Sequence, residues 1–205
     1  MGSARSKALL GAAGGALGAA LWWRLHPSAC PYSQRFWVQA PHPFITRERL
    51  REALEPKAGE RLLELGPGTG YYALPVAEWL SPGGRLDIVD VQQEMLDHTL
   101  REARGRGIDN VVSTLADARE LPFEDGTFDG AYLCVVLGEI PDQEAALREL
   151  ARVVRPGGRL VVGEILLDPH VVTFGALRRR TEAAGFHFER RVGPPSGWFA
   201  RFRAA

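Results

Sequence analysis

The stretch Arg61 to Ala77, RLLELGPGTGYYALPVA, changes hydrophobic period midway, and this restricts the fold more than any other part of the chain. Arg61 to Leu65 is an apolar run of strand length. Gly66-Pro67-Gly68-Thr69-Gly70 ends it, after which Leu74, Ala77 and Leu80 recur at helical spacing. A buried strand, a glycine turn and a helix form the first half of a βαβ unit. Glycines at 66, 68 and 70 permit positive φ and leave no Cβ between backbone and ligand, so a small molecule can lie against the turn. Taken alone, the same glycines also suit a tight turn that binds nothing. Their spacing narrows the ligand. A dinucleotide fingerprint, G-x-G-x-x-G, would need a small residue where Tyr71 stands, and a Walker-type phosphate loop would need a following Lys-Ser/Thr that is missing. The turn suits a nucleoside without a pyrophosphate.

Two nearly identical connections follow. Ser81-Pro82-Gly83-Gly84 introduces the strand Arg85 to Asp90, and Arg155-Pro156-Gly157-Gly158 introduces Arg159 to Ile165. Pro then Gly suits the central positions of a type II turn that returns a helix to a new strand. An amphipathic helix precedes each turn, Tyr72 to Leu80 and Gln143 to Val154, the second with Asp142 as N-cap. Further strands are expected at Val111 to Leu115 and Phe128 to Cys134, with helices near Gln92 to Arg104 and Thr173 to Ala184, the last closed by Gly185. Alternating strands and helices imply a parallel sheet covered on both faces. The final strands, Phe186 to Val192 and Trp198 to Arg203, flank a loop short enough for a hairpin, so one of them is antiparallel.

The chain of 205 residues is long enough for one well-buried domain, expected over 58–205. Its formal net charge is zero, so no global field steers it to nucleic acid, and none is expected as a partner. Cys30 and Cys134 lie far apart without metal-ligand spacing, so no metal site is expected. Residues 1–25 stand apart in composition: Arg5 and Lys7 precede an uncharged Ala/Gly-rich run, residues 8–23, that ends in paired tryptophans. That pattern fits a membrane anchor or, equally, a helix packed on the domain, since the run falls short of the roughly 20 residues a spanning helix needs. Residues 26–57 are punctuated by Pro27, Pro31, Pro41 and Pro43 and rich in aromatics, and read as a lid draped over the domain, with Thr46 capping a helix to Leu54.

In parallel sheets of this kind ligands bind beyond the carboxyl ends of the strands. Those ends carry Glu64 and the glycines, Asp90, Asp117-Ala118, and the segment Cys134 to Asp142. Asp90 follows the turn by roughly twenty residues, where a carboxylate can accept hydrogen bonds from ribose hydroxyls. In order, LLELGPGTGYY, IVDVQQEML, ADARELPFEDGTFD and LRELARVVRPGGRLVVGE resemble the successive motifs of class I S-adenosylmethionine-dependent methyltransferases of the small-molecule, "type 11" kind. The resemblance spans about Arg61 to Glu164. It implies an α/β, Rossmann-like three-layer sandwich whose seven-stranded, mostly parallel sheet has an antiparallel C-terminal strand. It also implies S-adenosyl-L-methionine as cofactor, with Gly66, Gly68 and Gly70 at the methionine part, Glu64 supporting the amino group, Asp90 and Val91 at the ribose, Asp117 and Ala118 at the adenine, and Cys134 nearby.

Departures from the family pattern bear on the substrate. The N-terminal signature of quinone C-methyltransferases is missing from YSQRFWVQAPHPF. Where relatives often read His-His-Ile-Pro-Asp, this chain has Gly138-Glu139-Ile140-Pro141-Asp142, and the Asn/Asp-Pro-Pro-Tyr segment of nucleic-acid and amide N-methyltransferases is absent. The expectation is methyl transfer to an O, N, S or C atom of a small, apolar molecule, with Glu139, His42 and His170 as candidate bases. A non-catalytic cofactor-binding partner protein and a nicotinamide oxidoreductase are the competing readings. A cofactor made in the cytosol argues for a cytoplasmic domain, held at the cytosolic face of a membrane if residues 8–23 anchor it.

Overall fold

A computed structural model describes residues 28–34, 36 and 43–205. The apolar N-terminal run and His42 lie outside them. The apolar run Arg61–Leu65 forms β1, the central strand. It pairs in parallel with β2 (Arg85–Asp90) on one side and with β4 (Phe128–Cys134) on the other. Beyond β2 lies β3 (Val111–Leu115), and beyond β4 come β5 (Val154–Ile165), β7 (Gly197–Ala204) and β6 (Phe186–Val192), giving the order β3-β2-β1-β4-β5-β7-β6 in one seven-stranded sheet. The hairpin between the last two strands folds β7 back into the gap beside β5, antiparallel to both neighbours. Strand order switches at the β1/β4 boundary: the chain runs outward from β1 to β2 and β3 on one side, then returns to place β4 and β5 on the other, and there the carboxyl ends of these parallel strands open a crevice.

Alternation along the strands splits the core into two faces. Leu63, Leu133 and Val162 pack with Leu147 and Leu150 of α4 (Gln143–Val153) and Leu177 of α5 (Phe174–Ala183). Leu62, Ile88 and Val161 pack on the opposite face with Leu50 of α1 (Arg47–Leu54), Leu80 of α2 (Ala73–Leu80) and Leu96 of α3 (Gln93–Gly105). The expected caps are in place. Thr46 Oγ1 accepts the Arg49 N–H at 3.4 Å, and Asp142 Oδ1 accepts that of Ala145 at 2.9 Å. Arg201, only 8 % exposed, ties the C-terminal hairpin to the end of α1 through Glu55 and pairs within the hairpin with Glu189 of β6, each at 2.7 Å.

The two Pro-Gly-Gly connections differ from one another. The first follows the end of α2, with Gly83 at φ 80°. The second lies inside β5, because Val154 already pairs with Phe128 before the chain steps outward over 155–158 and pairs again, Arg159 with Gly130. An ion pair of 2.8 Å between Arg155 and Asp129 bridges the step. Among the described residues no helix is long and apolar enough to cross a membrane.

Candidate functional site

A cavity of about 780 Å³ opens at the carboxyl ends of β1, β2, β4 and β5, under the segment 28–34. Its floor is the glycine turn. Gly66 and Gly68 take φ of 65° and 55°, and together with Pro67 they line the cavity. The Gly66 N–H donates to Val89 O at 2.8 Å, and Thr99 of α3 donates its hydroxyl to Gly68 O at 3.1 Å, so neighbouring elements set the turn. A Cβ on Gly66 would stand 2.5 Å from Val136 Cγ2. Gly70, by contrast, is not on the cavity wall. Its φ of 87° and the approach of Thr99 and Leu74, 3.2 and 3.3 Å from where a Cβ would be, make it a close-packing glycine between turn and helices.

Glu64 is also displaced from the expected contact. It is 1 % exposed, lies beneath the cavity rather than on its wall, and accepts the Tyr132 hydroxyl at 2.8 Å. Burial pushes its carboxyl up to about 8. The remaining cofactor candidates are on the wall. Asp90, at the end of β2, has one oxygen held by the Gln92 N–H at 2.9 Å, and burial raises it to about 6. Val91 beside it is 54 % exposed. Asp117 and Ala118 follow β3, and Asp117 is clasped by the Arg119 guanidinium at 2.6 to 3.1 Å, whose hydrogen bonds lower its pKa. Cys134 closes the wall at the end of β4, its thiol pushed well up by burial and by Glu64 and Glu164.

After β4 the chain turns sharply. Val135 sits at φ 59°, a left-handed conformation that costs a β-branched residue on the order of 1–3 kcal/mol. Its N–H bonds Gly163 O at 2.8 Å, and the turn delivers the short helix Leu137–Glu139 to the cavity. Glu139 lines the cavity and accepts the Cys30 backbone N–H at 3.2 Å. Burial above all, aided by Asp168 and Asp90, raises it to about 7. Gly138 lies hard against the loop after β5: a Cβ there would be 1.7 Å from the His170 carbonyl oxygen. That contact brings His170 and Asp168 onto the same wall as Glu139, with the Asp168 carboxylate accepting the His170 N–H at 2.7 Å. Behind them Glu164 accepts the Val172 N–H at 3.3 Å through Oε2, while its buried Oε1 has no partner.

The segment 28–34 is fastened over this space. Gln92 donates to Cys30 O at 2.9 Å and accepts from Tyr32 N–H at 3.0 Å, and the Tyr32 hydroxyl meets His98 Nδ1 at 3.1 Å. Cys30, Gln92, Val135, Glu164 and Asp168 have no site role assigned from the sequence. The first glutamine of IVDVQQ and the acid of LLDPH carried a faint signal, being polar residues just past strand ends. The glycine floor and the Asp90 carboxylate fit a nucleoside bearing an amino acid: bare backbone at one end, a hydroxyl acceptor at the middle, and no cradle for a pyrophosphate.

A family model described as the ubiE/COQ5 methyltransferase family matches residues 42–174. The chain belongs to that family. Its relatives include the ubiquinone/menaquinone biosynthesis C-methyltransferase UbiE of Cronobacter sakazakii, 34 % identical over 67 % of this chain and 53 % of the relative. The 27-O-demethylrifamycin SV methyltransferase of Amycolatopsis mediterranei is 33 % identical over 67 % of this chain and 50 % of the relative. The ubiE/COQ5-family chain thus spans about half the length of such curated relatives. A crystal structure of an S-adenosylmethionine-dependent methyltransferase from Aquifex aeolicus superimposes with a TM-score of 0.78, at 21 % identity over 86 % of this chain and 100 % of that one. The cyclase SpnF superimposes as well, with a TM-score of 0.68 at 22 % identity over 77 % of this chain and 80 % of the other, so the fold alone does not dictate the reaction.

Proposed function

We propose that this ubiE/COQ5-family chain binds S-adenosyl-L-methionine in the cavity and transfers its methyl group to a small, largely apolar molecule, as an enzyme of class EC 2.1.1. The supporting observation is the convergence on one cavity of the Gly66-Pro67-Gly68 floor and the Asp90 carboxylate, with free space left beside Glu139. The cofactor supplies, when bound, a methyl carbon already activated by a sulfonium leaving group. Gly66 and Gly68 let the backbone approach the amino-acid part, Asp90 accepts the ribose hydroxyls with Val91 beside it, and Asp117 and Ala118 flank the base. Glu64 supports the turn from beneath. Tyr71, Tyr72, Ile140 and Ile165 offer apolar surface to the acceptor, and Glu139, with an affinity for protons matched to neutral pH, takes a proton where the acceptor must lose one. Holding the acceptor in line and dry supplies most of the acceleration, and the segment within 26–57 acts as the lid that excludes water.

Leu167, which lines the cavity and is 83 % exposed, and its neighbour Leu166, 60 % exposed, favour approach of an apolar molecule from a membrane surface. We infer that residues 8–23 hold the domain at the cytosolic face of a membrane. The test is transfer of labelled methyl from S-adenosylmethionine into fractionated lipid and aqueous extracts. Label in an apolar product that depends on Glu139 supports this reading. Cofactor binding without transfer to any fraction favours a non-catalytic partner protein instead.

A further inference from the structure

The acceptor end of the cavity has a one-sided charge distribution. Glu139 and Asp168 stand on its wall with Glu164 behind them, near enough that Asp168 disfavours ionisation of both glutamates and Glu139 that of Glu164. The Asp90 charge reaches Glu139 from the cofactor side, and two thiols are held in their neutral form, Cys30 by burial, Glu139 and Asp168, and Cys134 by burial, Glu64 and Glu164. His170 stands beside Asp168 on this wall, and its coulombic effect favours the Asp168 carboxylate. Among the described residues lining the cavity, Arg119 alone carries a fixed positive charge. It is clasped to Asp117 past the end of β3, four strands from β5 in the sheet. Arg47 lies outside the cavity, over the Tyr71 ring at 4.2 Å and donating to the Tyr71 carbonyl. Between these groups the wall is aromatic, with Tyr71 and Tyr72 edge to face at 4.8 Å.

We propose that the methyl acceptor is a tetrahedral amine carried on an apolar or aromatic body. The inference rests on the methyltransferase reading and names its substrate class. An amine enters as its ammonium, attracted by the carboxylates and by the tyrosine faces. Its proton passes to the Glu139 carboxylate. The freed nitrogen lone pair then bonds to the methyl carbon as the carbon–sulfur bond breaks, with the electron pair of that bond staying on sulfur. Positive charge moves from sulfur to nitrogen, yielding S-adenosylhomocysteine and the N-methylammonium product, and no anion forms on the acceptor. A phenol or a carbon acid would have to develop negative charge facing Glu139 and Asp168 with no fixed cation beside it among the described residues, and a carboxylate acceptor would meet the same repulsion on entry. The missing Asn/Asp-Pro-Pro-Tyr segment is compatible with this chemistry, since it serves planar amide-like nitrogens rather than basic ones.

The experiment uses the full chain and three probes of matched shape: 2-phenylethylamine, 2-phenylethanol and 3-phenylpropanoate. S-Adenosylhomocysteine is titrated first by calorimetry. No binding there fails the methyltransferase reading itself, and this inference with it. With that complex formed, the amine is expected to bind about tenfold tighter than the alcohol, and the carboxylate most weakly. Asp168→Asn, which keeps the turn at His170, and separately Glu139→Gln are expected to shrink the amine preference severalfold while leaving S-adenosylhomocysteine affinity unchanged. Equal or tighter binding of the alcohol or carboxylate, no binding of any probe, or an unchanged preference in both variants overturns the proposal. So does labelled methyl recovered on oxygen or carbon rather than nitrogen.

Discussion

Replacing Glu164 by Gln is expected to change the sign of its effect on stability between acid and alkaline pH. Glu164 is 1 % exposed, accepts one N–H, from Val172, and leaves Oε1 unpartnered, so burial raises its carboxyl from the ordinary 4.5 to about 8. Below the lower value both native and unfolded chains hold the proton. Between the two values the unfolded chain releases it and the native chain does not, so native stability falls as pH rises. The slope is about 1.4 kcal/mol per pH unit, reaching roughly 4 to 5 kcal/mol once pH passes the folded value. Glu164→Gln removes that slope. Near pH 5 the variant is expected to be less stable than the parent by about 1 to 3 kcal/mol, the cost of an amide N–H₂ placed where Oε1 has no partner. Near pH 9 it is expected to be more stable by roughly 2 to 4 kcal/mol. Glu64 and Glu139 contribute slopes of the same sign to both proteins, so the difference isolates Glu164. Urea denaturation of both chains across this range, with slopes compared to exclude a change in the unfolded state, is the assay. A difference in stability that does not vary with pH would refute the assignment of Glu164 as a buried carboxyl protonated at neutrality.

Three further outcomes follow from the site. Asp90 must be ionised to accept ribose hydroxyls, so S-adenosylmethionine affinity is expected to weaken as pH falls below about 6, and titrations in a pH series check it. Gly138→Ala places a Cβ against the His170 carbonyl, costing about 1 to 3 kcal/mol and displacing the acceptor wall, so turnover should fall with cofactor affinity unchanged. Removing residues 1–25 is expected to release the protein from the membrane fraction while preserving cofactor binding. A full-length protein found wholly in the soluble fraction would contradict the anchor.

The strands, the helices between them and the sheet covered on both faces were legible because each depends on local pattern: unbroken apolar runs for parallel strands, helical spacing between them, and a hairpin-length loop before Trp198 that makes one of the last two strands antiparallel. That it is the last one was implied by the family resemblance. The caps at Thr46 and Asp142 were legible for the same reason. The division of labour among the glycines was not. Gly66 and Gly68 face the cavity while Gly70 packs against Thr99, a contact from a helix some thirty residues on that spacing alone does not reveal. The resemblance implied that Glu64 supports the amino group; its buried contact with the Tyr132 hydroxyl on the paired strand β4 was not legible, because it depends on strand pairing. The acceptor wall was the least legible part. Asp168 and His170 reach Glu139 because Gly138 lets two loops touch, and such a meeting of distant segments is a property of packing.

The proposed function stands on the glycine floor and Asp90 making a site for S-adenosylmethionine rather than for a dinucleotide. Calorimetric titration of the full chain with S-adenosylmethionine, S-adenosylhomocysteine and NAD tests it most directly, with Asp90→Ala run alongside. Saturable binding of the first two is expected, roughly tenfold or more weakened by Asp90→Ala, with no binding of NAD. Tight NAD binding with no heat from S-adenosylmethionine would contradict it.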